Sequence, residues 1–188
     1  MKKLACVAGF GFLSYGARKA FYKTECAEQR TRNAISIVFP YEGSSVRGVV
    51  SFQQEDSKSD LKFIANLWGL NPNSFYAMAV HEFGDIGGEA SNIGSNFVPT
   101  TEKGRSLAPL GLSLDLKSDE RGNIYLASTS SSASLFGENS IVGRAVAVRT
   151  KSNEDTGDES PADSGSATAV LGIGVIGLAK DFKNVSAR

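Results

Sequence analysis

The sequence predicts an all-β fold, an antiparallel sandwich or barrel of eight strands, and three observations carry that expectation. After residue 33 no stretch sustains a 3.6-residue apolar repeat over three turns. Ser113, Asp115 and Lys117 alternate with Leu112, Leu114 and Leu116, the period-two mark of a strand with one buried face. Connections such as "LNPNS" (70–74) and "SDERGN" (118–123) carry the turn residues that join neighbouring strands. Many short strands with polar links and no helices between them point to a sandwich or barrel.

In chain order, residues 1–30 come first and differ in composition from the rest. Lys2, Lys3, Arg18, Lys19 and Lys23 precede the first acid, Glu25, and "LACVAGFGFLSYGA" lies between the basic groups. A basic start and an apolar run of this length fit a secretory signal, but Arg18 and Lys19 follow where small neutral residues should precede cleavage. An acid-poor, partly amphipathic start fits a mitochondrial presequence. The third reading, which we favour, is a retained anchor. The apolar run rises only ~21 Å as helix, short of a ~30 Å hydrocarbon core. Extension through Ala20, Phe21 and Tyr22 gives a helix over 4–22, with Arg18 and Lys19 snorkelling or paired inside a complex. Gly9, Gly11 and Gly16 suit close packing of that helix against a partner in lipid.

A short polar linker at 24–33 leads into the expected strands: "AISIVFPY" (34–41), "VRGVVSFQQ" (46–54), "SDLKFIANLWGL" (59–70), "SFYAMAVHEF" (74–83), "LGLSLDLK" (110–117), "GNIYLAST" (122–129), "SIVGRAVAVRT" (140–150) and "AVLGIGVIGLAK" (169–180). Two gaps, 84–109 and 151–168, break the regular spacing, and loops of that length usually have a job. The second is acidic and rich in Ser and Gly, the composition of a solvated loop. The expected organisation is an N-terminal anchor or targeting segment (1–30), a barrel (31–182) and a tail (183–188).

Composition removes several function classes. Twenty basic and twenty acidic residues balance, with no basic stripe beyond the N-terminus, so no nucleic-acid partner is expected. Cys6 and Cys26 are the only cysteines, so everything after them lacks an internal disulfide or thiolate metal site. His81 is the only histidine, and a Ser-His-Asp arrangement would have to use it. The acids of the second gap, among them Glu154, Asp155, Asp158 and Glu159, fit a solvated loop better than paired catalytic carboxylates.

From about Ala34 to Lys180 the chain resembles the Cu/Zn superoxide dismutase family. "VRGVVSFQQED" looks like its second strand, and "AVHEFGD" matches H-V-H-E-F-G-D except at the first position. "GSNFVP" stands in place of G-P-H-F-N-P, "SIVGRAVAVRTK" in place of I-I-G-R-x-x-x-V-H-x-K, and "GIGVIGLAK" in place of C-G-V-I-G-I-A. The resemblance implies an eight-stranded Greek-key barrel. It also implies a copper held by four histidines, one bridging to a zinc held by two more and an aspartate. Carried over by position, the copper histidines fall on Ala79, His81, Asn96 (the bridge) and Arg149. The zinc loop, 97–109, is short and holds no histidine, and no aspartate stands near Pro109. The family's disulfide falls on Ala90 and Ile173, and its active-site arginine falls around Val170.

One imidazole cannot assemble that site, and Arg149 would put a fixed cation where a divalent metal should sit. The reading is a family member whose active site has been dismantled, with no metal, cofactor or catalytic residue, and His81 kept as a structural residue bonded to a neighbour such as Asn96. Gly84-Asp85 would turn the chain through a positive φ. The expected role is an accessory subunit of a larger assembly. Its expected site is the mitochondrial inner membrane, with the barrel facing the intermembrane space and a respiratory complex as host. A secreted protein or another membrane-tethered one is the alternative. Family dimers often use the closing segment, here Gly174, Val175, Ile176 and Gly177, so a homodimer or a foreign subunit should cover it. The competing function is a residual or altered metal-dependent dismutase. A copper chaperone of the same family would need closely spaced cysteines, which are absent.

Overall fold

In a computed structural model, the structure describes residues 31–99, 113–151 and 169–182. Eight strands form: β1 (Arg32–Pro40), β2 (Arg47–Gln54), β3 (Leu61–Trp68), β4 (Phe75–Val80), β5 (Ser113–Lys117), β6 (Ile124–Ser130), β7 (Ala145–Thr150) and β8 (Val170–Ala179). They make one sheet in the order β5-β4-β7-β8-β1-β2-β3-β6, antiparallel at each pairing, which curls into a nearly closed barrel. The eight-stranded Greek-key expectation holds. The expected helix over 4–22, the zinc-loop stretch 100–109 and the tail 183–188 lie outside the described residues. Among the described residues no helix is long and apolar enough to cross a membrane.

Alternation builds the core. Gly48, Val50, Phe52 and Gln54 of β2 point inward, and so do Leu61, Phe63, Ala65 and Leu67 of β3. Phe52 and Phe63 are register partners with rings 6.4 Å apart, a contact worth about 0.5–1.5 kcal/mol beyond area burial. Both polar atoms of buried Gln54 are bonded: Oε1 accepts from the Leu135 N–H at 2.6 Å and from Ser134 Oγ at 3.1 Å, and Nε2 donates to the Ser59 carbonyl at 2.7 Å. It ties β2 to the long β6–β7 connection.

Two strands are shorter than their apolar runs. β4 stops at Val80 because His81 pairs across an isolated bridge with Asn96, in the long loop. β7 begins at Ala145, not Ser140, because Ile141–Arg144 turn through Gly143 (φ 84°), whose N–H donates to the Ile176 carbonyl at 2.8 Å. Asp119 organises the β5–β6 turn. Its Oδ1 accepts the Arg121 and Asn123 N–H groups, both at 2.8 Å, which holds its carboxyl below the usual range. Gly122 in the same turn has φ 74°, and a Cβ there would lie 2.0 Å from the Leu70 carbonyl oxygen.

Candidate functional site

The face to which the resemblance assigns copper is built from β4 and β7. In β4, Tyr76, Met78 and Val80 fill the barrel, so Ala77 and Ala79, followed by His81, point to the outer side. In β7, Val146 and Val148 point in and Ala145, Ala147 and Arg149 point out. Register sets Ala79 opposite Ala147 and Ala77 opposite Arg149, while the His81 N–H donates to the Ala145 carbonyl at 2.8 Å. The loop after β4 folds over this face and carries a short 3-10 helix, Ala90–Ile93.

What lies beneath the loop is apolar. Ile93, Ala145, Ala147 and Ile173 form a second hydrophobic cluster, with Tyr41, Ile86 and Val170 packed around it. The positions of the family's disulfide therefore serve differently here. Ile173 packs in this cluster, and the Ala90 N–H donates to the Tyr41 hydroxyl at 2.8 Å. Val170, at the family's arginine position, also packs against the cluster. Ile93 and Tyr41 escaped the sequence reading because their neighbours come from β7 and β8, far along the chain.

His81 is 2% exposed. Its Nδ1 lies 2.9 Å from the Gly94 carbonyl oxygen. A carbonyl only accepts, so Nδ1 carries the proton and Nε2 keeps its lone pair. Nε2 is buried and has no partner among the described residues. Burial lowers the imidazole below its ordinary value of 6.5; the Gly94 carbonyl opposes that shift, and the positive charge of Arg149 adds to it. The expected bond to Asn96 does not form. The Asn96 side chain is exposed, and its link to His81 runs through the backbone, so Gly94 supplies the partner instead.

Arg144 was quoted in the sequence motif, but its task emerges only in space. Its Nη1 donates to the Glu82 carbonyl at 2.6 Å and its Nε to the Ser140 carbonyl at 3.0 Å, while the guanidinium lies 3.6 Å from the Phe97 ring centroid. It thus clamps both ends of the loop that covers the second cluster. Gly84 is required for closeness, not for the expected positive φ: a Cβ there would lie 2.1 Å from the Gly143 carbonyl oxygen.

The closing segment divides by parity. Gly174 and Ile176 are buried, Val175 is half-buried, and Gly177 is exposed beside Leu178. Only the outward part of that segment can meet a partner through its surface.

Comparison with known proteins gives a consistent result. The family model for copper/zinc superoxide dismutase (SODC) matches residues 46–176. The chain is 35% identical over 146 residues to "Superoxide dismutase [Cu-Zn]" of Schizosaccharomyces pombe, covering 72% of this chain and 92% of that protein. It is 31% identical over 156 residues to "Superoxide dismutase [Cu-Zn] 5" of Dictyostelium discoideum, covering 78% and 99%. The barrel and these matches define a Cu/Zn superoxide dismutase-like protein, and the chain belongs to that family.

The residues present do not fit the family's metal pair. At the four copper positions stand a methyl group (Ala79), one imidazole (His81), an outward-facing amide (Asn96) and a cation (Arg149). Among the described residues no group of three His, Cys, Asp or Glu side chains could hold a metal ion. A single buried nitrogen donor cannot satisfy a copper centre, and the guanidinium repels one.

Proposed function

We propose that this protein is a non-catalytic accessory subunit: a dismutase-type barrel retained for its shape and surface, tethered through its N-terminus within a larger assembly. The observation that carries this reading is the apolar cluster of Ile93, Ala145, Ala147 and Ile173, which packs the face where the family's metal chemistry belongs. Arg149, on the same face, adds a charge that opposes metal binding. The basic, acid-poor start with its apolar run supports the tether. The same features support a mitochondrial inner-membrane site with the barrel toward the intermembrane space, and a respiratory complex as host.

The competing reading, a residual or altered metal-dependent dismutase, draws on the unpartnered Nε2 of His81, whose lone pair is in the form a metal would take. Metal analysis of the purified full-length protein, with a superoxide dismutation assay, separates the two. We expect no stoichiometric copper or zinc and no dismutation above a buffer control. About one equivalent of copper lost on His81→Gln would overturn the accessory reading and support the enzyme. Native purification with intact-mass measurement reads the partner and the N-terminus together.

A further inference from the structure

His81 and Arg149 stand on the outer face of β4 and β7, on either side of two alanines. His81 bonds at the level of Ala145, Ala79 lies opposite Ala147, and Arg149 lies opposite Ala77. Alternate residues of a strand are ~6.6 Å apart, so the two polar side chains start from levels about 13 Å apart. Between those levels the two strands present only the methyl groups of Ala79 and Ala147. Arg149 is the cation whose charge acts on the imidazole, which brings its long side chain back along the face toward His81. The Gly94 carbonyl engages Nδ1, while buried Nε2 keeps a lone pair with no partner among the described residues. Burial favours the neutral ring, so that lone pair calls for a hydrogen-bond donor. The family's active-site arginine is not the cation concerned, since Val170 at that position packs in the apolar cluster.

A cation beside an acceptor-only nitrogen selects its ligand by chemistry. A metal ion would take the lone pair but is repelled by the guanidinium. Chloride, nitrate and carboxylates pair with a guanidinium but give nothing to Nε2. Water donates to Nε2 but brings no charge. An oxyanion that keeps one proton does both. Its charged oxygens accept from the guanidinium fork, whose five N–H donors exceed what one protein bond consumes, and its O–H donates to Nε2. Between such anions, shape decides. The fork is planar and the neighbouring side chains are methyl-sized, which suits a flat, three-oxygen ion better than a tetrahedral one. We propose that this face binds bicarbonate, two of whose oxygens accept N–H bonds from Arg149 while its O–H donates to Nε2 of His81. Bonds of this kind strengthen away from water, and the loop that buries Ile93 covers the face.

His81 is the only histidine in the chain, so the nitrogen resonances of isotopically labelled histidine report on this site without ambiguity. Full-length, metal-free protein would be titrated at constant pH and ionic strength with sodium bicarbonate, and in parallel with sodium nitrate. Nitrate has the same shape and charge and lacks only the proton. We expect millimolar bicarbonate to move the Nε2 resonance, saturably, toward that of a hydrogen-bonded acceptor, and to raise the melting temperature, while nitrate does neither. Arg149→Gln should weaken bicarbonate binding by about tenfold or more, and Arg149→Lys, which keeps the charge but loses the fork, by less. An Nε2 resonance that bicarbonate leaves unmoved would overturn the site, even if neither variant folds. Equal responses to nitrate would reduce it to unspecific attraction to Arg149 and overturn it too. Tighter binding of phosphate would overturn the choice of bicarbonate. Such binding needs no partner chain, so these three outcomes leave the accessory reading intact. Copper taken up at Nε2 in the presence of bicarbonate would overturn both.

Discussion

A buried imidazole with one bonded nitrogen is a pH sensor whether or not it once held a metal. The charged form of His81 is disfavoured by burial and then by Arg149, with the Gly94 carbonyl and the charge of Glu82 acting the other way. Its folded-state pKa lies below the ordinary 6.5, so the unfolded chain takes up the proton first as pH falls. The stabilisation is complete above about the unfolded value and is lost as pH drops through the folded one. Denaturant midpoints of the wild type should therefore fall between neutral pH and about pH 5, and those of His81→Gln should stay nearly flat there. The glutamine amide nitrogen stands one bond farther from Cβ than Nδ1 does, so the substitution also removes the donor to Gly94, at a cost of about 1–3 kcal/mol at neutral pH. Equal pH slopes for the two proteins would show that another group titrates.

At the level of elements, the loop after β4 is held by packing where other family members are expected to use a disulfide. Ile93 is fully buried, and Ile93→Ala should destabilise the protein by about 2–5 kcal/mol. Equilibrium unfolding, with amide exchange of residues 82–97, checks this; the same loss with unchanged loop protection would mean the loop is held mainly by Arg144. The β5–β6 turn makes a second test. Gly122→Ala places a Cβ against the Leu70 carbonyl at a positive φ, so about 2–3 kcal/mol should be lost. A neutral result would mean that the turn relaxes at no cost.

At the scale of the whole molecule, the barrel and the N-terminal segment are separable in principle. The described core is lined by residues of the barrel strands and their connections, and β1, which follows the N-terminal segment, pairs on both sides, with β2 and β8. Deleting residues 1–23 should release a folded, water-soluble barrel from its membrane or complex, measured by fractionation and thermal melting. A truncated chain that stays fixed to its complex would place the tether on the barrel surface. The apolar span of 4–22 is marginal for a bilayer, so lipid alone should hold the chain weakly and packing through Gly9, Gly11 and Gly16 should contribute.

Alternation along 112–117, the turn residues at 118–123 and the motifs around "HEFGD" and "GVIGLA" determined the barrel and its family from the sequence alone. They also exposed the degenerate metal set at Ala79, His81, Asn96 and Arg149, because ligand identity is a property of single positions. The sequence could not show what packs the face to which the resemblance assigns the metals. Ile93, Ala147 and Ile173 come from separate segments and become neighbours only when β7 and β8 pair beneath the loop. The partner of His81 was likewise decided by tertiary structure: the bridge to Asn96 turns the Gly94 carbonyl, not the asparagine amide, toward the ring. Exposure of Phe39, Trp68 and Tyr125 follows the same rule, since one strand's alternation marks two faces and only the closed barrel decides which meets water.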